Sequence, residues 1–171
     1  IAGRKLYDIC KALPESASIE LHQEKDQVIL TSGRSRFTLS SLPASDFPNM
    51  ETNSSVCEFN LPQKELKHIL QRTSFAMAQN DVRYYLNGVL LEITPGQLRT
   101  VATDGHRLAC ATIASSIDTN SRVQIIIPRK GVLELIKLLD DSHDIVKVII
   151  GTHFISVESE HYHFTSKLIE G

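Results

Sequence analysis

Apolar residues recur at i, i+3, i+4, i+7 in three places along the chain: Leu6, Ile9, Cys10, Leu13; then Leu66, Ile69, Leu70, with Thr73 in the fourth position; then Val132, Leu135, Ile136, Leu139. That spacing lays a single stripe along an α-helix, so each segment reads as an amphipathic helix resting on a core. The segments 1–13, 61–73 and 127–139 superpose as repeats. Pro62 and Pro128 fall in the first turn of the second and third, where a missing N–H costs nothing. Behind each helix come three alternating runs: 18–24, 27–31 and 36–41; 82–94, 98–103 and 107–113; 144–150, 154–158 and 161–168. Val28, Leu30, Phe37 and Leu39 are set among polar residues with the period of two that marks a half-buried strand, and are expected on one face. Residues 57–61 and 123–127 supply one further strand before the second and third helices. The repeating unit is therefore β-α-β-β-β, an α+β arrangement, and the first copy lacks its opening strand. Residues 42–55, with Pro43, Pro48 and clusters of Asn, Ser and Thr, carry no period and read as a linker between 1–41 and 56–171.

Composition narrows the class. The chain has 171 residues, 42% hydrophobic and 22% charged, an ordinary globular balance that excludes disorder, collagen and a disulfide-dense miniprotein. The longest apolar run, 123–128 with one Gln inside, is far short of the ~20 residues of a spanning helix, so no membrane-crossing segment is expected. Cys10, Cys57 and Cys110 form no CxxC pair and leave an odd thiol, which argues against a structural zinc or a disulfide framework and for a reducing cytoplasm. The chain opens at Ile1 without a basic-then-apolar leader, and the expectation is a piece of a longer protein.

Net charge is only −2, but its distribution is uneven. Residues 1–13, 62–73 and 128–139 hold nine Lys or Arg against three acids, so the helices sum to +6 and the rest of the chain to −8. Basic residues stand in register at Arg4, Lys64 and Lys130. Such a repeated cationic face suits a phosphate backbone bound without regard to sequence, and the acidic remainder would discourage nucleic acid elsewhere. The alternative is a set of solvated, Lys-rich helix faces.

Two stretches are unusually specific, 80–88 (NDVRYYLNG) and 98–109 (LRTVATDGHRLA). With 32–37 (SGRSRF), 42–48 (LPASDFP), 127–131 (IPRKG) and 164–168 (FTSKL), in that order, the chain resembles the bacterial DNA polymerase III β subunits, the sliding-clamp family. The resemblance covers essentially the whole chain. It implies a DNA-clamp fold, a ring of two subunits with three similar domains each, helices lining the hole and antiparallel sheets forming the outer wall. Residues 1–41 would be the second half of the first domain and 56–171 nearly all of the second, with the third absent. The implied role is that of a non-catalytic processivity factor. It would encircle duplex DNA and hold replicative and other DNA polymerases, the clamp loader and repair proteins through a peptide pocket, with no cofactor and no metal.

Carried over residue by residue, the resemblance implies a peptide pocket at Leu86, Thr103, Gly105, His106, Arg107 and Leu108. Leu86 and Leu108 would give an apolar floor, and Thr103 with the turn backbone a few orienting hydrogen bonds. A plain core role for both leucines stays open, and the family's pocket also draws on residues beyond Gly171. DNA contacts are implied for Arg4, Asn80, Tyr84, Tyr85 and Lys130. Neighbouring strand residues point to opposite faces, so both tyrosines are exposed only if they lie in a loop. The segment from Arg34 to Leu39 matches the strand that closes the homodimer, with Phe37 and Leu39 as apolar contacts and Arg34 and Arg36 at a charged rim.

Three other readings compete. Asp104 and His106 resemble a hydrolase base and its orienter, although Asp-Gly between apolar runs is a strong hairpin signal and no Gly-x-Ser-x-Gly elbow supplies a nucleophile. His153, His161 and His163 invite a metal reading, but no Cys or acid stands at ligand spacing, and an exposed polar strand face is expected instead. A module that binds peptides but never DNA is the third.

Overall fold

The computed structural model describes residues 1–47, 55–117, 119 and 122–170. They form two compact units, Ile1–Glu51 and Thr52–Gly171. In the first, helix α1 (Gly3–Ala12) precedes strands β1 (Glu20–Glu24), β2 (Gln27–Ser32) and β3 (Ser35–Ser40), which pair antiparallel in that order. Two-residue turns join the strands, with left-handed backbone at Lys25 and Gly33, as tight hairpins of right-twisted strands require. Val28 pairs with Leu39 and Leu30 with Phe37, so the four alternating residues share one face as expected. The α1 stripe is only shallowly covered: Leu6, Ile9 and Leu13 are half-buried, whereas Cys10, read as part of the stripe, is exposed.

Two expectations for the dimer-edge segment change. Arg34 lies in the β2–β3 turn rather than on the strand, and Leu39 is 6% exposed, packed within its own unit. Phe37 remains half-buried and Arg36 exposed. Among the described residues β3 has only β2 as a neighbour, so its other edge is open.

The second unit runs β4 (Ser55–Pro62), α2 (Gln63–Ser74), β5 (Gly88–Thr94), β6 (Gln97–Thr103), β7 (Leu108–Ala114), β8 (Val123–Pro128), α3 (Arg129–Leu138), β9 (Ile145–Gly151), β10 (Phe154–Glu158) and β11 (His163–Lys167). Each opening strand pairs outside its own repeat. β8 joins the sheet β7-β6-β5-β8, and β4 joins β11-β10-β9-β4. This exchange welds two repeats into one body with one continuous core, in which Leu66, Ile69 and Leu70 of α2 and Val132 and Leu135 of α3 are fully buried. Beyond β11 the chain bridges back to β8 through Ile169 N–H to the Ile126 carbonyl at 2.9 Å, tying the sheets again.

The helices follow the predicted stripes, including Thr73, whose buried hydroxyl donates to the Ile69 carbonyl at 3.1 Å. Pro62 and Pro128 are not in the first turn; each ends a strand and caps its helix in an extended conformation, one residue earlier than expected. The run 82–94 is a strand only from Gly88. Upstream, Asn87 accepts from Asp81 N–H at 3.0 Å and donates to the Asp81 carbonyl at 2.9 Å, folding 81–87 into a loop with a 3-10 turn at Tyr84–Leu86. Local Asp and Asn hydrogen bonds thus override the strand preference of Val82, Tyr84 and Tyr85. Gly88 admits no side chain, because a Cβ would collide with the Ile127 carbonyl oxygen of the paired β8. The expected linker 42–55 falls partly on residues 48–54, outside those described. Within it Ala44–Asp46 forms a 3-10 turn and Ser55 already belongs to β4.

Candidate functional site

Arg83 of the 81–87 loop lies against the β6–β7 turn. Arg83 Nε donates to Asp81 Oδ1 at 3.0 Å and Nη2 to Oδ2 at 2.9 Å, a bidentate pair. Those bonds, with the Arg83 backbone N–H, hold the Asp81 carboxyl down at about 2. The guanidinium lies over Gly105, where a Cβ would stand 3.0 Å from Nη2 and 3.3 Å from Nη1. Gly105 has φ +88, a backbone conformation that L side chains rarely adopt, so glycine is favoured there and an added Cβ would also press on the Arg83 guanidinium.

The turn is a four-residue loop, Asp104 to Arg107, rather than a two-residue Asp-Gly hairpin. The Thr103 hydroxyl donates to the Arg107 carbonyl at 2.7 Å and accepts from Gly105 N–H at 3.1 Å. Asp104 Oδ1 accepts from the backbone N–H groups of His106 (3.0 Å) and Arg107 (3.1 Å), and Oδ2 from Arg107 Nε (3.0 Å). The His106 N–H leads the groups that lower the Asp104 carboxyl below its ordinary value. The Thr103 hydroxyl proton, expected to orient a bound peptide, is engaged in holding the turn. Asp104 bonds the main chain of His106 rather than its imidazole, so the base-and-orienter pair of a hydrolase is not formed.

Leu108 is 68% exposed at the start of β7 and Leu86 half-buried, so Leu108 is not core. His106 and Arg107 border a groove of about 430 Å³ together with Phe75, Asn80, Asp81 and Arg129. Leu86, Thr103, Gly105 and Leu108 are not among the lining residues of this groove. Sequence reasoning missed Phe75, which is 60% exposed with the Arg107 guanidinium 5.7 Å from its ring centre. The signal was available: Phe75 falls off the apolar stripe of α2, so an exposed aromatic was to be expected there.

Tyr84 and Tyr85 both project from the 3-10 turn, 59% and 47% exposed, with ring centres 5.9 Å apart and planes at 75°. The loop alternative therefore holds for both rings. Asn80 sits at φ +60, a conformation Asn tolerates better than most side chains. It shares a second concavity, of about 670 Å³, with Lys130, Leu133 and Ile136 of α3. In its own unit Arg4 is exposed, pairs with Asp8 at 3.4 Å and lies over the Tyr7 ring. His163 Nε2 faces Ser156 Oγ at 2.6 Å and His153 Nδ1 lies 3.8 Å from Glu170. Among the described residues no three His, Cys, Asp or Glu side chains are grouped to hold a metal ion.

Comparison with known proteins decides the family. The family description "DNA polymerase III beta subunit, central domain" matches residues 60–171, and "DNA polymerase III beta subunit, N-terminal domain" matches residues 1–51. The chain belongs to the DNA polymerase III beta subunit family. The beta sliding clamp of Pseudomonas putida is 48% identical over 171 residues, covering 100% of this chain and 47% of that protein. The beta sliding clamp of Escherichia coli K12 is 47% identical over 173 residues and is covered over 46% of its length. This chain thus spans slightly under half of the sliding clamps it matches. Among solved structures, the DNA polymerase sliding clamp from Pseudomonas aeruginosa with ligand superposes with a TM-score of 0.92 at 49% identity, over 98% of this chain and 46% of that one. The DnaN sliding clamp from Bartonella birtlesii gives 0.91 at 36% identity, over 100% and 47%. The two units therefore carry the sliding-clamp fold, an α+β assembly of antiparallel sheets backed by helices. In that family setting the strand exchange between repeats closes the second unit into one body.

Proposed function

We propose that the protein carrying this chain is a sliding-clamp processivity factor: two subunits close around duplex DNA, slide on weak phosphate contacts, and hold DNA polymerases, a clamp loader and repair proteins by short peptides. In this reading 1–41 is the second half of a first clamp domain, 42–55 the linker and 56–171 most of the second, in a cytoplasmic protein. No covalent chemistry is assigned to it. The observation that carries the reading is the charge of the helices in the second unit. α2 and α3 pack on each other and on the sheets, bury Leu66, Ile69, Leu70, Val132 and Leu135 fully, and bear six Lys or Arg against two acids. Such contacts have no base readout, and sliding demands that none be tight.

Arg4, Asn80, Tyr84, Tyr85 and Lys130 are the DNA-contacting set in this proposal. Leu86, the Thr103–Leu108 turn and its exposed leucine are the peptide-docking set, with Gly105 and Arg107 shaping the turn. Phe37 and Arg36 on the open β3 edge serve the dimer, with Leu39 supporting from inside and Arg34 at the turn. Changing Arg4 and Lys130 to Glu in the whole protein tests the reading: processive synthesis should fall, while binding of a Leu- and Phe-anchored peptide stays the same. Unchanged processivity would favour the peptide-only module.

A further inference from the structure

Basic residues on a helix are not equally available. On α2 the loop between α3 and β9 sits beside two of the three cations. Lys67 Nζ lies 3.1 Å from Asp141 Oδ1, with only 16% of its side chain exposed, and Lys64 Nζ lies 2.6 Å from His143 Nε2. The loop is fixed by Gln63, which is 5% exposed. Its backbone N–H donates to the Asp144 carbonyl at 2.9 Å, its Nε2 donates to Ser142 Oγ at 2.8 Å, and its Oε1 accepts from Asp140 N–H at 3.3 Å. Asp140, Asp141 and Asp144 therefore bring three acids to the flank of α2 that carries Lys64 and Lys67.

Arg72 stands apart. At 3.6 residues per turn it lies about 140° around the helix from Lys67 and about 80° from Lys64. It is exposed, and among the described residues it makes no side-chain hydrogen bond and no ion pair.

We propose that Arg72 is the phosphate-contacting cation of α2, and that the Asp140–Asp144 loop withholds Lys64 and Lys67 from DNA. This deepens the clamp reading and rests on it. It also revises the register argument, in which Lys64 matched Arg4 and Lys130. The loop weakens the grip of α2 from three cations to one, which suits a surface that must release each phosphate as it moves.

The test measures affinity of the whole protein for a mixed-sequence duplex by fluorescence anisotropy as salt is raised. Each lost phosphate contact flattens the slope of log affinity against log salt by about 0.9. Arg72→Ala should flatten it by that amount and Arg72→Lys should restore it. Lys64→Ala and Lys67→Ala, which remove the same charge from the same helix, should leave it unchanged. Asp141→Asn, which releases Lys67, should steepen it. Equal flattening by all three alanine variants, or none from Arg72→Ala while Lys130→Ala flattens the slope, would overturn this inference and leave the clamp reading standing. No change from Arg72→Ala, Lys130→Ala or Arg4→Ala would overturn the clamp reading itself.

Discussion

Replacing Gly105 by Ala separates two reasons for a glycine. Its φ of +88 costs an L-residue about 1–2 kcal/mol, and its Cβ would meet the Arg83 guanidinium at 3.0 Å. Gly96, in the β5–β6 turn, has φ +77 with nothing within 4 Å of the added carbon, so Gly96→Ala carries the strain without the contact. Both variants should lose about 1–2 kcal/mol in urea unfolding of the 171-residue chain, roughly 2–8 °C in Tm. Only Gly105→Ala should move Arg83, and the reporter is Asp81. Its carboxyl, held at about 2 by Arg83, should rise toward its ordinary 3.8 in Gly105→Ala and stay low in Gly96→Ala, followed by NMR titration. The sign follows from a depressed folded value: Asp81 stabilises the fold above pH 3.8 and loses that contribution as pH falls toward 2, so Gly105→Ala should be less acid-sensitive in that window. A Gly105→Ala protein as stable as the parent, with Asp81 still titrating at about 2, would refute both the strain and the contact.

Further outcomes follow from burial and charge. Leu70→Ala, at a fully buried position of α2, should cost about 2–5 kcal/mol in urea unfolding. Leu108→Asp should leave stability within about 0.5 kcal/mol, because the side chain is exposed, yet abolish chemical-shift changes on titration with a Leu- and Phe-anchored peptide. Glu92, buried on β5 and held below its ordinary 4.5 chiefly by Arg122, stabilises the fold above that value and loses the contribution as pH falls. Glu92→Gln should therefore flatten the acid limb of a stability-against-pH curve.

What was legible in the sequence was local. The stripes of α2 and α3 were read residue by residue because a 3.6 period survives in any context where one face is buried. The shared face of Val28, Leu30, Phe37 and Leu39 on β2 and β3 followed from alternation in the same way. The exchange of β4 and β8 between repeats was not legible, since period-two runs say which face is buried but not which partner strand lies alongside. The misread run 82–87 shows the complementary failure: strand-forming residues there yield to side-chain bonds between Asp81 and Asn87, six positions apart. At the site, residue types were right more often than their roles. Both tyrosines are exposed, but Thr103 and Asp104 turn their polar atoms inward to the turn. Likewise the cations of α2 were visible as letters, while the loop that pairs Lys67 with Asp141 and sets His143 against Lys64 lies more than seventy residues downstream.

If the whole protein holds DNA by encircling it, topology distinguishes that from affinity. Labelled protein should be loaded by its loader onto a covalently closed circle, isolated at high salt, and then exposed to a single-cutting nuclease. Encirclement predicts protein retained on the circle and released once the DNA is linear. Equal retention on circle and line, or loss from both as salt rises, would contradict it.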